Sequence, residues 1–538
     1  MHRIARFVLP SIAILIIGLI GGSAASPTPP PTRQEIAQKI LNSIAGQTLT
    51  SPARAYMESV ARGDRSLAAD SAGSTVKGVN VTSGAPGGGG SLTNVRVNNP
   101  AEDSHQTDQT TQSETSIAVS GSNVAVGFND SQHALLFLTA GGDLTGYAYS
   151  TDGGGTFTDG GVLPNDTGNV NVGDPWLASD SGGTMYFSTL TFQGTTLNLL
   201  VGVSSSTNGG ATWTSAVAIP NPPSMFFYAA DKDALTTGPG NGNLYDVWDD
   251  FTVDSTFNIF SGLPVAHSTD GGHTWTVVYA SKVPLFGPGC SFTQYIGAQP
   301  LAVSGTTVFD AAEMISINNP TCTFPGPAPT FSEAVFVSSD GGSTWSAGAN
   351  IPITSSTQGF GAFILGPGQV MRNLEFPTLA AFKGSVYMAW NDGGDGSGHS
   401  HIRLAKLDMS GNLIATTFVT SGTNDEAQPA MSADSALHIA YYQISTASNG
   451  RGQLDVFTSN SNNAVSWKTQ RVTSQSFPGV FSVPQFDPII AFGYMGDYIA
   501  QVSDGKNQYI AWGDNRDTVT NFLWPNGRND PDVFFAKQ

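Results

Sequence analysis

From about Leu92 onward the chain is a succession of short apolar runs set between polar and glycine-bearing turns, and the runs recur in one order. An acidic or polar residue opens a first strand of the form Leu-Ala-Val, a second strand ends in aromatics, a third runs into a turn, and a fourth leaves it. The openings are Glu114-Thr-Ser-Ile-Ala-Val119, Asp174-Pro-Trp-Leu-Ala-Ser179, Asp233-Ala-Leu-Thr236, Gln299-Pro-Leu-Ala-Val303, Glu375-Phe-Pro-Thr-Leu-Ala380, Gln428-Pro-Ala-Met-Ser432 and Asp497-Tyr-Ile-Ala500. Second strands such as Leu244-Tyr-Asp-Val-Trp248 and Val386-Tyr-Met-Ala-Trp390 are equally regular. Short runs bounded by turn residues predict strands, and repetition of one such unit predicts an all-β propeller. Seven units are present, with six blades as the alternative. The last unit is one strand short, and Leu92-Thr-Asn-Val-Arg-Val97 is expected to complete it and close the ring, which removes exposed sheet edges.

The turn between third and fourth strands has its own repeat. Ser268-Thr-Asp-Gly-Gly-His-Thr-Trp275 has close copies at 150–157, 206–213 and 338–345, with Phe157 ending the first and Asn208 in the Asp place of the second. In such a turn the carboxylate accepts bonds from its own backbone and the glycines supply positive φ. This pattern resembles the Asp-box, or BNR repeat, of the sialidase-like propellers. Asp152, Asn208, Asp270 and Asp340 are therefore expected to be structural turn residues rather than catalysts. The boxes fall on one face of the disc, and the openings and the links after second strands fall on the other, where chemistry is expected.

Composition narrows the partners and the compartment. The chain of 538 residues carries a formal charge of −19, which excludes nucleic acid and anionic membrane surfaces as partners. Residues 1–25, with a basic start, an apolar run from Phe7 to Gly22 and Ser23-Ala24-Ala25, read as a signal peptide. Secretion follows, with no membrane insertion after cleavage. Residues 26–91 read as a linker rich in Pro, Gly and Ser, with two short helical patterns, Glu35 to Ile44 and Ala53 to Ala61, and residues 92–538 as the propeller. The two cysteines, Cys290 and Cys322, are expected to form a disulfide in an exported chain.

The resemblance implies a glycan or glycoconjugate as partner, and no required cofactor. Crowded carboxylates at the openings would suit a calcium ion or would raise one another's pKa values, or would cap neighbouring backbone. A sialidase-like reaction would need arginines for a sugar carboxylate, a tyrosine nucleophile paired with a glutamate, and an acid/base aspartate. Arg372, Arg516 and Arg528, with Asp497, are the substrate-binding candidates. Arg451 falls on the same face. Tyr498 (or Tyr228), Glu375, and Asp174 or Asp130 are the catalytic ones. The Arg-Ile-Pro motif of sialidases is absent, Arg96 standing in Val-Arg-Val instead. Two readings stay open beside an exo-glycosidase: a non-catalytic extracellular binding or adhesion scaffold, and a neutral-glycan hydrolase using two carboxylates.

Overall fold

A computed structural model describes residues 29–63, 80–81, 92–103, 109–133, 143–221, 226–355, 357, 361–366, 369–446, 450, 452–481, 495–520, 522 and 524–538. The segment read as a signal peptide and Arg451 lie outside the described residues. The fold is all-β, in sheets of antiparallel strands, with three helices ahead of them. Unit 1 runs Gln112–Ser120, Asn123–Asp130, Thr145–Ser150 and Phe157–Val162; unit 2 runs Asn169–Ser179, Met185–Gln193, Asn198–Ser206 and Val217–Ala218. Unit 3 is Phe227–Thr237, Leu244–Val253, Ile259–Ser268 and Thr276–Pro284; unit 4 is Phe292–Ala302, Val308–Ile317, Thr330–Ser338 and Ser346–Ile353. Unit 5 is Thr378–Phe382, Ser385–Asp392, His401–Leu407 and Leu413–Phe418; unit 6 is Asp425–Ala433, Leu437–Thr446, Gly452–Ser461 and Lys468–Arg471. Unit 7 is Ala500–Ser503, Gln508–Val519 and Arg528–Lys537, and its fourth strand is Val95–Arg96, with Val95 opposite Phe535. Units 2 and 3 share one sheet, joined by parallel pairing of Ala229 with Leu199. Ala362–Gly366 and Gln369–Arg372 form an inserted hairpin that pairs with Val480–Phe481.

Apolar side chains from neighbouring units meet between their sheets. Ile117, Val124 and Val126 of unit 1 pack with Tyr509 and Phe535 of unit 7, while Ala118 and Ala125 meet Leu177 and Phe187 of unit 2. The second-strand aromatics Trp248, Trp390 and Trp512 are fully buried; side chains of this size dominate core energetics. Hydrogen bonds run from each unit to the next. Leu177 N–H donates to Ser116 Oγ, Thr237 Oγ1 to Ser179 O, Gly297 N–H to Asp249 Oδ1 and Glu375 N–H to Glu313 Oε2. Met431 N–H donates to Thr378 Oγ1, Gln428 Nε2 to Gly496 O, and Thr115 Oγ1 of unit 1 to Ala511 O of unit 7. A cavity of about 580 Å³ is lined by first-strand residues of all these units, among them Ser116, Trp176, Lys232, Gln299, Thr378, Gln428 and Ala500.

The stretch 26–91 is not all linker. Residues 33–62 form α1 (Arg33–Leu41), α2 (Ala45–Thr48) and α3 (Ser51–Arg62). Thr32 and Glu35 make a reciprocal capping box, Thr50 caps α3, and Gly63 ends it in the left-handed conformation. Ile36, Ala37, Ile40, Leu49, Ala53, Tyr56 and Met57 are buried in one core with Leu199, Phe227 and Tyr228 of units 2 and 3. The helical pattern was visible in the sequence, but an apolar face does not say which surface it will cover. Cys290 and Cys322 are joined by a disulfide. No helix among the described residues is long and apolar enough to cross a membrane.

Candidate functional site

The heads of five of the seven first strands share one distortion. The ladder to the second strand breaks at a bulge between Ser113 and Ser116, Gly173 and Trp176, Asp231 and Asp233, Ile296 and Gln299, and Ala427 and Ala430. Glu114, Asp174 and Gln428 take positive φ there (54°, 56° and 50°), as do Gly297 and, ahead of unit 7, Gly496. A bulge re-aims a side chain, and each non-glycine residue held this way costs about 1–2 kcal/mol, so its surroundings must hold it. They do: Asn129 Nδ2 donates to Glu114 Oε2 at 2.6 Å, Asp497 N–H donates to Glu114 Oε1 at 3.0 Å, and Asp174 N–H donates to Asn129 Oδ1 at 2.7 Å. Much of the polar ring thus caps the backbone of the next unit. A Cβ on Gly496 would stand 2.6 Å from the Glu114 nitrogen, which makes glycine the residue that fits.

Beneath these heads lies a buried charged cluster. Lys232 is fully buried, its Nζ has no hydrogen-bond partner among the described residues, and it sits 4.5 Å, 4.8 Å and 5.7 Å from the ring centres of Trp176, Tyr498 and Phe376. Burial lowers the Lys232 pKa, against the pull of Asp233, Asp249, Asp174 and Glu114. Burial raises the carboxylates: Asp231 to about 6, and Asp233 and Asp497 to about 7, with Arg372 opposing the rise at Asp497. Asp174 is pushed well above the usual range by burial and then by the neighbouring Glu114 charge. Desolvation dominates throughout, as it must where ions leave water.

Of the residues singled out from the sequence, Tyr498, Asp174, Asp497 and Arg372 meet here. Tyr498 donates to Pro175 O at 3.2 Å, and burial, then Glu114 and Asp174, push its pKa well above the ordinary value, so it keeps its proton. Arg372 pairs with Asp497 at 3.1 Å. The others have separate surroundings. Glu375 Oε1 accepts from Ser355 at 3.0 Å, and its backbone is held by Glu313. Asp130 accepts from Gln132 N–H at 3.0 Å and Gln112 at 3.3 Å. Arg516 forks onto Asp514 at 2.9 and 2.5 Å and lies over Phe534; Arg528 donates to Asp530 and Thr110 at 2.7 Å. The three guanidinium groups hold separate sets of partners. Tyr228 accepts from Trp248 Nε1 inside the core. Lys232 was missed in the sequence; the signal was a lysine between two aspartates in a strand of apolar neighbours.

The glycine turns lie elsewhere and are self-contained. Asp270 accepts from Ser268 Oγ, Thr274 N–H and Thr274 Oγ1 at 2.8, 2.9 and 2.6 Å, and Asp152, Asn208 and Asp340 sit in matching networks. These bonds hold the exposed Asp270 and Asp340 carboxyls down to about 2. One acidic cluster, Asp103, Asp530 and Asp532, offers oxygens within 4.8 Å of one another. Arg528 bonds Asp530 at 2.7 Å, and Asn98 and Arg96 contact Asp532, so protein groups already offset much of that charge.

No family model matches the chain, and no curated protein does. Solved structures similar to it include a Hadza microbial sialidase (15% identity, 71% of this chain and 68% of that one, TM-score 0.39). The alpha-L-arabinofuranosidase of Fusarium graminearum with arabinobiose is another (13%, 83% and 97%, 0.42), and so is the phage phi92 endosialidase (10%, 83% and 68%, 0.40). These neighbours are glycosidases of low identity, and likenesses this distant carry no argument about what this chain does.

Proposed function

We propose that the chain is a secreted, sialidase-like propeller of seven blades, closed by Val95–Arg96, that binds glycans at the heads of its first strands. The ring reading is supported by the bonds that link each unit to the next and unit 7 to unit 1, and by one cavity lined from every first strand. The observation that carries the binding reading is the single cluster at those heads. Carboxylates of units 1, 2, 3 and 7, the Arg372 guanidinium and the faces of Trp176 and Phe376 come together there, and a few placed polar groups beside aromatic faces are what a sugar site needs. Binding is preferred to hydrolysis because Tyr498, tied to Pro175 O, is a poor nucleophile as it stands. The second reading, an exo-glycosidase, is favoured by Asp174, a carboxyl whose pKa burial raises beside Tyr498.

A glycan array probed with the protein, whole and cleaved behind Gly63, tests this reading together with a fluorogenic sialoside. Retention of oligosaccharides by at least the cleaved form, without turnover, is expected. Turnover would replace binding by hydrolysis, and retention by neither form would remove the glycan.

A further inference from the structure

Residues 33–62 lie directly on the head-side cluster. At the junction of α2 and α3, Thr50 Oγ1 donates to Asp231 Oδ1 at 2.6 Å, and Thr50 N–H points to the same carboxylate at 3.3 and 3.4 Å. Thr48 Oγ1 exchanges hydrogen bonds with the Gln294 amide at 2.9 and 3.2 Å. Arg372 Nη2 donates to Thr48 O and Leu49 O, both at 2.9 Å. Within three residues the segment therefore presents two hydroxyls and two oxygen acceptors to one carboxylate, one amide and one guanidinium. Thr48, Leu49, Thr50, Asp231, Gln294 and Arg372 are all buried in this arrangement.

The segment differs from everything else on this face in how it is held. Among the described residues, 33–62 pair with no strand of any unit. They are held by the apolar face that Ile36, Ile40, Tyr56 and Met57 bury, and by Arg33, which donates to Leu197 O and Asn198 Oδ1. An element bound without strand pairing can leave without breaking a sheet ladder, as an interface can.

We propose that Asp231, Gln294 and Arg372 form a subsite for the hydroxyls and oxygen acceptors of a carbohydrate. Thr48–Thr50 fills that subsite as an internal stand-in, so that a ligand enters only when residues 33–62 withdraw. The ligand class rests on the glycan reading above; the stand-in rests on the contacts alone. Carboxylate, amide and guanidinium groups facing hydroxyls and carbonyl oxygens, with no charged group of residues 48–50 involved, are the partners a polyol would take. While covalently attached, the segment competes at a high effective concentration, so separation from the chain weakens its hold without altering a contact.

The test uses the whole chain with a specific protease sequence inserted between Gly63 and Asp64, cleaved after folding. Three readouts are taken before and after cleavage: phenylglyoxal modification of Arg372 by peptide mass spectrometry, retention on an array of acidic and neutral oligosaccharides, and competition by a synthetic peptide of residues 29–63. Cleavage is expected to raise Arg372 modification about tenfold or more, the factor given by a shift of about 1.4 kcal/mol in the closed–open equilibrium. Retention should appear only after cleavage and be abolished by the peptide. An uncleaved Thr48→Val/Thr50→Val chain, which loses both hydroxyls, should also show faster modification of Arg372. Equal retention by whole and cleaved protein would overturn the stand-in and leave the glycan reading intact. A fragment that stays bound with Arg372 unreactive in both variants would overturn withdrawal. Retention by neither form, with Arg372 reactive, would overturn the ligand class along with the glycan reading.

Discussion

The Thr50 hydroxyl serves two partners: it accepts the Ala53 N–H as the cap of α3 and donates to the buried Asp231. Thr50→Val keeps the shape and removes both bonds. Loss of a cap costs about 1 kcal/mol, and a buried carboxylate short of a donor costs about 1–3 kcal/mol more. Thr50→Val should therefore lower stability in urea unfolding by about 2–4 kcal/mol, and Thr50→Ser should restore most of it. A second consequence concerns pH. The folded pKa values of Asp231 (about 6), and of Asp233, Asp250 and Asp497 (about 7), lie above the unfolded value near 3.9. The folded state then binds more protons than the unfolded state between about pH 4 and 7, so stability present at the acid end is lost as pH rises through that window. Asp270 and Asp340, at about 2, act in the opposite sense and only below pH 4. Thermal unfolding at pH 5 and pH 8 should give the lower midpoint at pH 8; a rise in midpoint over that interval would contradict the buried cluster. At this scale the sequence was only partly legible. Residue type singled out Tyr498, Asp174 and Arg372, but the positive φ of Glu114 and Gln428 arises from a bulge, and nothing in the local spacing announces it.

Among the elements, the glycine turns were the most legible, because their bonds are local. Ser, Asp, two glycines and Thr at fixed offsets satisfy one another whatever lies around them, as at 268–274 and 338–344. Their contacts with neighbours are not local. Gly154 has φ 87° and its missing Cβ would fall 2.2 Å from the Phe535 ring of unit 7, whereas Gly384 has φ 76° and open space around it. Gly384→Ala should cost about 1 kcal/mol for the left-handed backbone alone. Gly154→Ala should cost about 3 kcal/mol or more, since Phe535 must also move. Equal thermal shifts for the two variants would refute the packing of this turn on unit 7. The helices were legible as helices, from caps and apolar spacing, and illegible as a covering, because their partners Leu199, Phe227 and Tyr228 lie far along the chain.

At the scale of the molecule, Val95 joins the start of the strand repeats to their end. It is 5% exposed, opposite Phe535, in the core shared by units 1 and 7. Val95→Asp places an unpaired charge in that core and should cost about 4 kcal/mol, lowering one cooperative transition seen by tryptophan fluorescence, whose reporters stand in units 2 to 7. Val465→Asp, at a site 77% exposed, should change stability by less than about 0.5 kcal/mol. The repeat order was readable because each unit restates the same strand grammar. The covering of the head face was not, because it depends on residues 33–62 meeting Asp231, Gln294 and Arg372 across the whole length of the chain. Hydrogen–deuterium exchange of the intact protein tests that covering most directly. Amides from Thr48 to Met57 should be protected far above a free peptide, yet less than those of the first strands of units 2 and 3, which stay paired when the segment withdraws. Exchange there as fast as in a free peptide would contradict the account.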